Sequence, residues 1–488
     1  MNDRYKRILG ERLIPLPRKI DFCDADMIEL DKVRWSFTAG IDGCDEVIAE
    51  AFGKWWKISP ECSFIPEERK APKDGYFLTA DAGSVKLEYS DLNGLRNGLR
   101  TLRQIAEPLR TRTISGWLIP QMTIEDYPSA AFRGVHICVF PETEVIELEK
   151  QIRLAAFFKL NTVVLELFGT FPFECEPDFC WPDLHFTRDD FRNLVRIGRS
   201  LGVSVVPGVN LVGHAPWAIG SKSGKFAVLN FHPEYAPLFD PDGWCWCMSN
   251  PATKEVLSKL VNELCDVFEN PPYFHIGCDE ADDSMVSCRE CVERDPVELL
   301  LEYLNYFNDL LKSRSCRMMI WHDMMVDRTN PRWAGLTASG LPELNSDDMY
   351  LKLPKDIVIC DWEYDRPMPQ GDYEISKFFK QNGFMTLLCP CSDVPAVYKM
   401  GNSVRDNKLD GLLGTTWLRS MRRGFSDIYN SLAHAAWNPD CDFRPGRNAM
   451  PNFNTALRYI DNDCGIKDYR NFGRLNHYQQ SPDKMIVQ

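Results

Sequence analysis

The sequence predicts a (β/α)8 (TIM) barrel preceded by a small α+β domain, and three observations carry that prediction. From Phe132 onward eight short apolar runs recur, most of them separated by helix-like segments. The polar and aromatic residues that look functional gather at the C-terminal ends of those runs, the face on which barrel enzymes build their sites. Residues 1–125 follow a different rhythm, so the chain divides into a small domain at 1–125, a catalytic barrel at 126–440 and a C-terminal extension at 441–488 expected to pack on the barrel.

In the small domain, "GYFLTADAGSVKLEYSDLNGLRNGLRTLRQIAEPL" shows two alternating strand patterns, a turn at Asp91–Gly94, and a helix with Leu95, Leu99, Leu102 and Ile105 on one face. "IPQMTIEDYPSAAF" follows as a Pro-containing connector. The strand runs are then "RGVHICVF" (133–140), "NTVVLEL" (161–167), "GVSVVPGVNL" (202–211), "YFHIGC" (273–278), "RMMIWH" (317–322), "DIVICDW" (356–362), "GFMTLLC" (383–389) and "GLLGTTW" (411–417). Helices are expected over "VIELEKQIRLAAFFKL", over "TRDDFRNLVRIGRSLG" with Thr187 and Asp190 as a capping box, and over "NPATKEVLSKLVNELCDVF" with Asn250 as N-cap and Pro251 at N1. Eight such units fit a closed barrel better than an open doubly wound sheet, which carries fewer strands.

The net charge of -14 over 488 residues disfavours nucleic acid and an anionic membrane as partners. A neutral or cationic small molecule fits better. No apolar run long enough to span a bilayer occurs, and the N-terminus lacks an apolar signal core, so a cytoplasmic, unprocessed protein is expected. The eighteen cysteines are then expected to be reduced thiols. Cys288 and Cys291 form one CxxC without a second pair at matching spacing, and no His-x-His stands on the first strand, so no metal is expected. The absence of GxGxxG after a strand, and of a Walker-type loop, leaves no cofactor. Oligomeric state is left open, a homodimer being one option.

The stretch "FHIGCDEADD" sets adjacent carboxylates, Asp279 and Glu280, where the fourth run ends. Strand alternation would put His275, Gly277 and Asp279 on one face, with Glu280 where the chain turns into its loop. Two such acids reach different edges of one ligand, as glycoside cleavage requires: one protonates the departing oxygen and the other stabilises positive charge on the sugar. The alternative is a solvated acidic loop that caps the next helix.

"HIGCDEADD" resembles the HxGxDE signature of glycoside hydrolase family 20, the β-N-acetylhexosaminidases. The resemblance extends to "GLRNGLRTLRQI", "IPQMTIEDYPSAAFRGVH", "PGVNLVGHAPWA", "IWHDMM" and "TTWLRS", and covers about residues 75 to 440. The chain looks most similar to the hexosaminidase D type, in which the eighth strand ends in Trp-x-Arg and the second carries a stretch like "LELFGTFPF". Cys138, Phe168 and Gly169 depart from the family pattern, where acids are expected.

This resemblance implies exo-acting hydrolysis of terminal β-linked GlcNAc or GalNAc with retention, the substrate's own acetamido oxygen acting as nucleophile through an oxazolinium. Glu280 then matches the general acid/base, and Asp279 the residue that holds the acetamido group. Arg133 is implied as a fork to sugar hydroxyls, the alternative being an ion pair at the domain interface. Trp321, Trp362 and Trp417 would wall the sugar and its acetamido methyl, and Tyr364 would bind the acetamido oxygen. His214 and His275 would support the carboxylates, the alternative for each being a satisfied core histidine, and Asp323 and Arg419 would be rim contacts, the alternative for Arg419 being a structural partner for a nearby acid. A barrel glycosidase of different sugar specificity and a catalytically silent sugar-binding protein on the same fold are the competing readings.

Overall fold

The computed structural model describes residues 3–108, 116–215, 228–241, 243–281, 286–340, 351–363, 373–391, 393–417, 425–441 and 449–466. Eight parallel strands close into a barrel: β1 (Phe132–Val139), β2 (Thr162–Leu167), β3 (Ser204–Gly208), β4 (Tyr273–His275), β5 (Arg317–Trp321), β6 (Val358–Asp361), β7 (Met385–Leu388) and β8 (Gly411–Thr415), with β8 pairing back onto β1. Each strand is buried on both faces, which is why these runs read as continuous apolar stretches. Alternate residues divide the work. Val135, Ile137, Val163 and Leu165 face the surrounding helices, while Phe132, Val164, Val206, Met319, Val358, Leu387 and Leu413 fill the barrel interior.

The helices start where the sequence marks them. Thr187 and Asp190 form a reciprocal capping box on α2 (Arg188–Ser200), following α1 (Val145–Phe157). Asn250 accepts from the backbone N–H of Ala252 at the head of α3 (Pro251–Val267), with Pro251 in the first turn. After these come α4 (Pro296–Ser313), α5 (Glu374–Gln381), α6 (Val394–Asp406), α7 (Phe425–Trp437) and α8 (Ala449–Asp463). Helix α8 lies against α1 through Phe453 and Phe158, stacked with ring centroids 6.4 Å apart.

The small domain is a six-stranded mixed sheet whose central strands, Tyr76–Ala80 and Ser84–Tyr89, carry the helix Leu92–Ile105. Asp91 caps that helix by accepting from the N–H of Gly94, so residues 91–94 are its first turn and not a separate turn as the sequence suggested. The hairpin turn lies earlier, where Asp81 accepts from the N–H groups of Gly83 and Ser84.

The two domains meet at the N-terminal mouth of the barrel through buried, paired charge. Lys159 and Asp126 are completely buried and 2.7 Å apart, and Asp126 also accepts from Tyr76 and from the indole N–H of Trp437. Arg133 belongs to this junction. Its guanidinium pairs with Asp74 at 2.8 Å and donates to the carbonyls of Lys159 and Ala130. The implied role of Arg133 as a sugar contact is therefore corrected: it stands at the start of β1, at the opposite end of the barrel from the acids, and its side chain is 3% exposed.

Candidate active site

The fourth strand stops at His275, three residues before its sequence run ends at Cys278. Gly277, Cys278 and Glu280 all have positive φ (68°, 76° and 45°), so strand alternation does not continue to Asp279. For Cys278 and Glu280 this left-handed backbone is strained, and the surrounding contacts hold it in place. Gly277 is obligatory on two counts: its φ is positive, and a Cβ there would lie 2.3 Å from the side-chain amide of Asn210. That close approach lets Asn210 Nδ2 donate to Asp279 Oδ1 at 2.9 Å.

The two acids end in different surroundings. The side chain of Asp279 is 11% exposed and that of Glu280 51% exposed. Nε2 of His214 lies between them, 3.4 Å from Asp279 and 3.3 Å from Glu280. His214 itself has φ 52° and packs its ring on Trp244, whose indole N–H donates to the carbonyl of Glu280 at 2.7 Å. Gly213 allows this loop to close in, since a Cβ there would lie 2.5 Å from the carbonyl oxygen of Asp279. Trp246 donates to the carbonyl of Asn210 at 2.9 Å and so anchors the end of β3.

Asp323 is completely buried, which corrects its assignment as a rim contact. Both of its oxygens accept hydrogen bonds, Oδ2 from the N–H of Glu280 and Oδ1 from the indole of Trp362, each at 2.9 Å. Burial first, and then the nearby charge of Asp279, push its carboxyl up to about 6. Asp323 thus positions an acid and a tryptophan without meeting solvent.

The tryptophans form a stepped wall. Trp321 packs between His275 (ring centroids 4.3 Å) and Trp417 (5.2 Å), and His136 lies 4.7 Å from Trp417. Trp362 and Trp417 are partly exposed, whereas Trp321 is 0% exposed. The expectation that Trp321 faces the ligand is corrected accordingly: its position on β5 turns it into the barrel, where it supports Trp417 from within. Tyr364 and Arg419 lie outside the described residues.

Sequence patterning assigns no site role to His136, Glu166, Asn210, Trp244 or Trp246. His136 and Glu166 are buried and bonded at 2.8 Å, with Cys138 3.8 Å from the same carboxylate oxygen. The one available signal was a histidine inside an otherwise apolar first strand. The aromatic pair in "GWCWC" sits in a long loop without periodicity, so nothing local reported its contacts.

Among the described residues, three groups have metal-ligand composition. His136, Cys138 and Glu166 form one. In the second, His322, Asp361 and Glu363, the polar atoms are already engaged: His322 Nε2 donates to the carbonyl of Thr337, which fixes Nδ1 as acceptor for the N–H of Trp362, and Glu363 accepts from Thr337. That group shapes the support of Trp362. The third, Asp240, Cys247, Cys288 and Cys291, belongs to the loops that carry the acids.

Comparison with known proteins gives a consistent result. The family model "Glycosyl hydrolase family 20, catalytic domain" matches residues 181–390, and "Glycosyl hydrolase family 20, domain 2" matches residues 45–127. The chain is 26% identical over 220 residues to beta-hexosaminidase subunit A1 of Dictyostelium discoideum, covering 42% of this chain and 39% of that protein. It is 22% identical over 292 residues to a beta-hexosaminidase of Porphyromonas gingivalis, covering 52% and 36%. The chain thus spans well under half of these curated relatives. Among solved structures, the exo β-N-acetylglucosaminidase of Vibrio harveyi in complex with N-acetylglucosamine superposes with a TM-score of 0.69 at 17% identity, over 94% of this chain and 78% of that one. The Streptomyces plicatus N-acetyl-β-hexosaminidase superposes at 0.65 and 16% identity, over 94% and 96%. At these identities the superpositions establish the fold alone.

Proposed function

The chain belongs to glycosyl hydrolase family 20, and on that premise we propose that it is an exo-acting β-N-acetylhexosaminidase removing terminal β-linked GlcNAc or GalNAc with retention. One observation carries the proposal: adjacent acids at the C-terminal mouth of the barrel stand in unlike surroundings, Asp279 enclosed and tied to Asn210, Glu280 open to solvent. A proton donor must reach the departing oxygen and later a water molecule, which suits Glu280. A group that orients the substrate must be fixed, which suits Asp279.

In the proposed cycle Asp279 Oδ1 stays with Asn210, and Oδ2 holds the acetamido N–H of the substrate. The acetamido oxygen attacks the anomeric carbon while Glu280 gives its proton to the leaving oxygen. The charge on the resulting oxazolinium develops beside Asp279, so the carboxylate favours the transition state over the bound substrate. Glu280 then takes a proton from water, which opens the ring with net retention. Trp362 and Trp417 supply the partly exposed apolar wall beside this point.

Finer readings rest on the same basis. The hexosaminidase D type is supported by "TTWLRS" and "LELFGTFPF". A cytoplasmic location, in which the eighteen cysteines would stay reduced, belongs to the same reading. Among the described residues no helix is long and apolar enough to cross a membrane. The deciding experiment is turnover of aryl β-glycosides of GlcNAc, GalNAc, Glc and GlcA: the two acetamido sugars are expected to be cleaved and the other two to be poor substrates. Preferred cleavage of Glc or GlcA would assign the barrel to another glycosidase activity.

A further inference from the structure

The lone CxxC acquires partners from a distant loop. Sγ of Cys247 lies 3.5 Å from Sγ of Cys288 and 3.8 Å from Sγ of Cys291, although 41 and 44 residues separate them in sequence. A carboxylate oxygen of Asp240 completes the group, with all four ligand atoms within 4.8 Å of one another. Asp240, Cys247 and Cys291 are buried, at 1%, 4% and 0% exposure.

These distances have a specific meaning. A tetrahedral zinc with bonds of about 2.3 Å to sulfur sets its sulfurs roughly 3.8 Å apart. The two sulfur separations match that edge and far exceed the roughly 2.0 Å of a disulfide. Outer contacts suit thiolates as well: the N–H of Cys291 points to Sγ of Cys288 at 3.2 Å, and Oγ of Ser249 lies 3.2 Å from Sγ of Cys291. Three sulfurs and one carboxylate, closed off from solvent on most sides, form the donor set of a structural zinc site and leave no open position for catalysis.

We propose that Asp240, Cys247, Cys288 and Cys291 bind one Zn2+ ion as a four-coordinate structural site. The thiols release their protons to solvent on binding, and no oxidation or reduction takes place. The ion joins the loop after β3 to the loop after β4. These loops also meet where Trp244 donates to the Glu280 carbonyl and where Sγ of Cys245 approaches the carbonyl of Ala281 at 3.7 Å. The zinc therefore fixes the backbone on which Asp279 and Glu280 stand. The inference does not depend on which sugar the site takes.

The test is metal analysis of the full chain, purified under reducing conditions, exposed to zinc and dialysed against metal-free buffer. One zinc per chain is expected, released stoichiometrically by a mercurial. Replacement by Co2+ should give sulfur-to-cobalt charge-transfer bands in the near ultraviolet and intense tetrahedral d–d bands in the visible. A Cys288→Ser/Cys291→Ser variant should lose the metal, and Asp240→Asn should weaken zinc binding at least tenfold. Less than a tenth of a zinc per chain, a disulfide among these cysteines in the purified protein, or zinc retained by the double variant would each overturn the assignment.

Discussion

The backbone N–H of Glu280 donates to Oδ2 of Asp323 over 2.9 Å, so an acid open to solvent is held by a carboxylate that solvent does not reach. The left-handed φ of Glu280, 45°, is kept in place by this bond and by the one from Trp244. Asp323 pays for the arrangement in ionisation. Its carboxyl is pushed from 3.8 up to about 6, so between roughly pH 4 and 6 the folded chain holds a proton that the unfolded chain has released. The raised value makes this contribution to stability present at low pH and lost as pH rises through about 6. Asp323→Asn removes the ionisation, so the stability difference between variant and wild type should move in favour of the variant by about 1–2 kcal/mol from pH 5 to pH 8. Urea unfolding of both proteins at the two pH values measures it. A difference independent of pH would place the raised ionisation elsewhere.

Glu280→Gln keeps the shape of the side chain and removes its proton. Substrates with poor leaving groups should lose about 10²- to 10⁴-fold in kcat/KM, while activated aryl glycosides lose much less, because only the former need protonation of the departing oxygen. Equal losses across a leaving-group series would take Glu280 out of the acid role.

Arg133→Ala separates a structural role from a sugar contact. Truncation strands the buried carboxylate of Asp74 at the domain junction, and should cost about 3–5 kcal/mol of stability. The KM of the folded variant for an aryl GlcNAc substrate should remain unchanged. A raised KM at undiminished stability would return Arg133 to the sugar site.

Much of this was legible in the sequence because strands and caps are local. All eight barrel runs, the Thr187–Asp190 box and the Asn250 cap stand on short-range patterning, and the Asp279–Glu280 pair was found by its place at a strand end. Arg133 was misplaced although the information was present: at about 3.3 Å per residue, its position at the start of an eight-residue strand puts it some 20 Å from the C-terminal mouth. Asp323 and Trp321 lie at the correct mouth, but the depth at which each is buried depends on partners from other strands. Cys247 lies 41 residues from Cys288, in a loop whose path no periodicity reports, so the CxxC looked partnerless until the fold brought the loops together.

The central claim is that Asp279 orients a nucleophile supplied by the substrate. The most direct test is inhibition by a GlcNAc-thiazoline, whose fused ring imitates the oxazolinium and draws on the complementarity the site has for the transition state. Wild type should bind it orders of magnitude more tightly than GlcNAc itself, and Asp279→Asn should weaken that binding and reduce kcat together, since one contact serves both. Inhibition no tighter than that by GlcNAc, with a sugar trapped covalently on a protein carboxylate, would contradict the account and make the adjacent acids an ordinary acid and nucleophile pair.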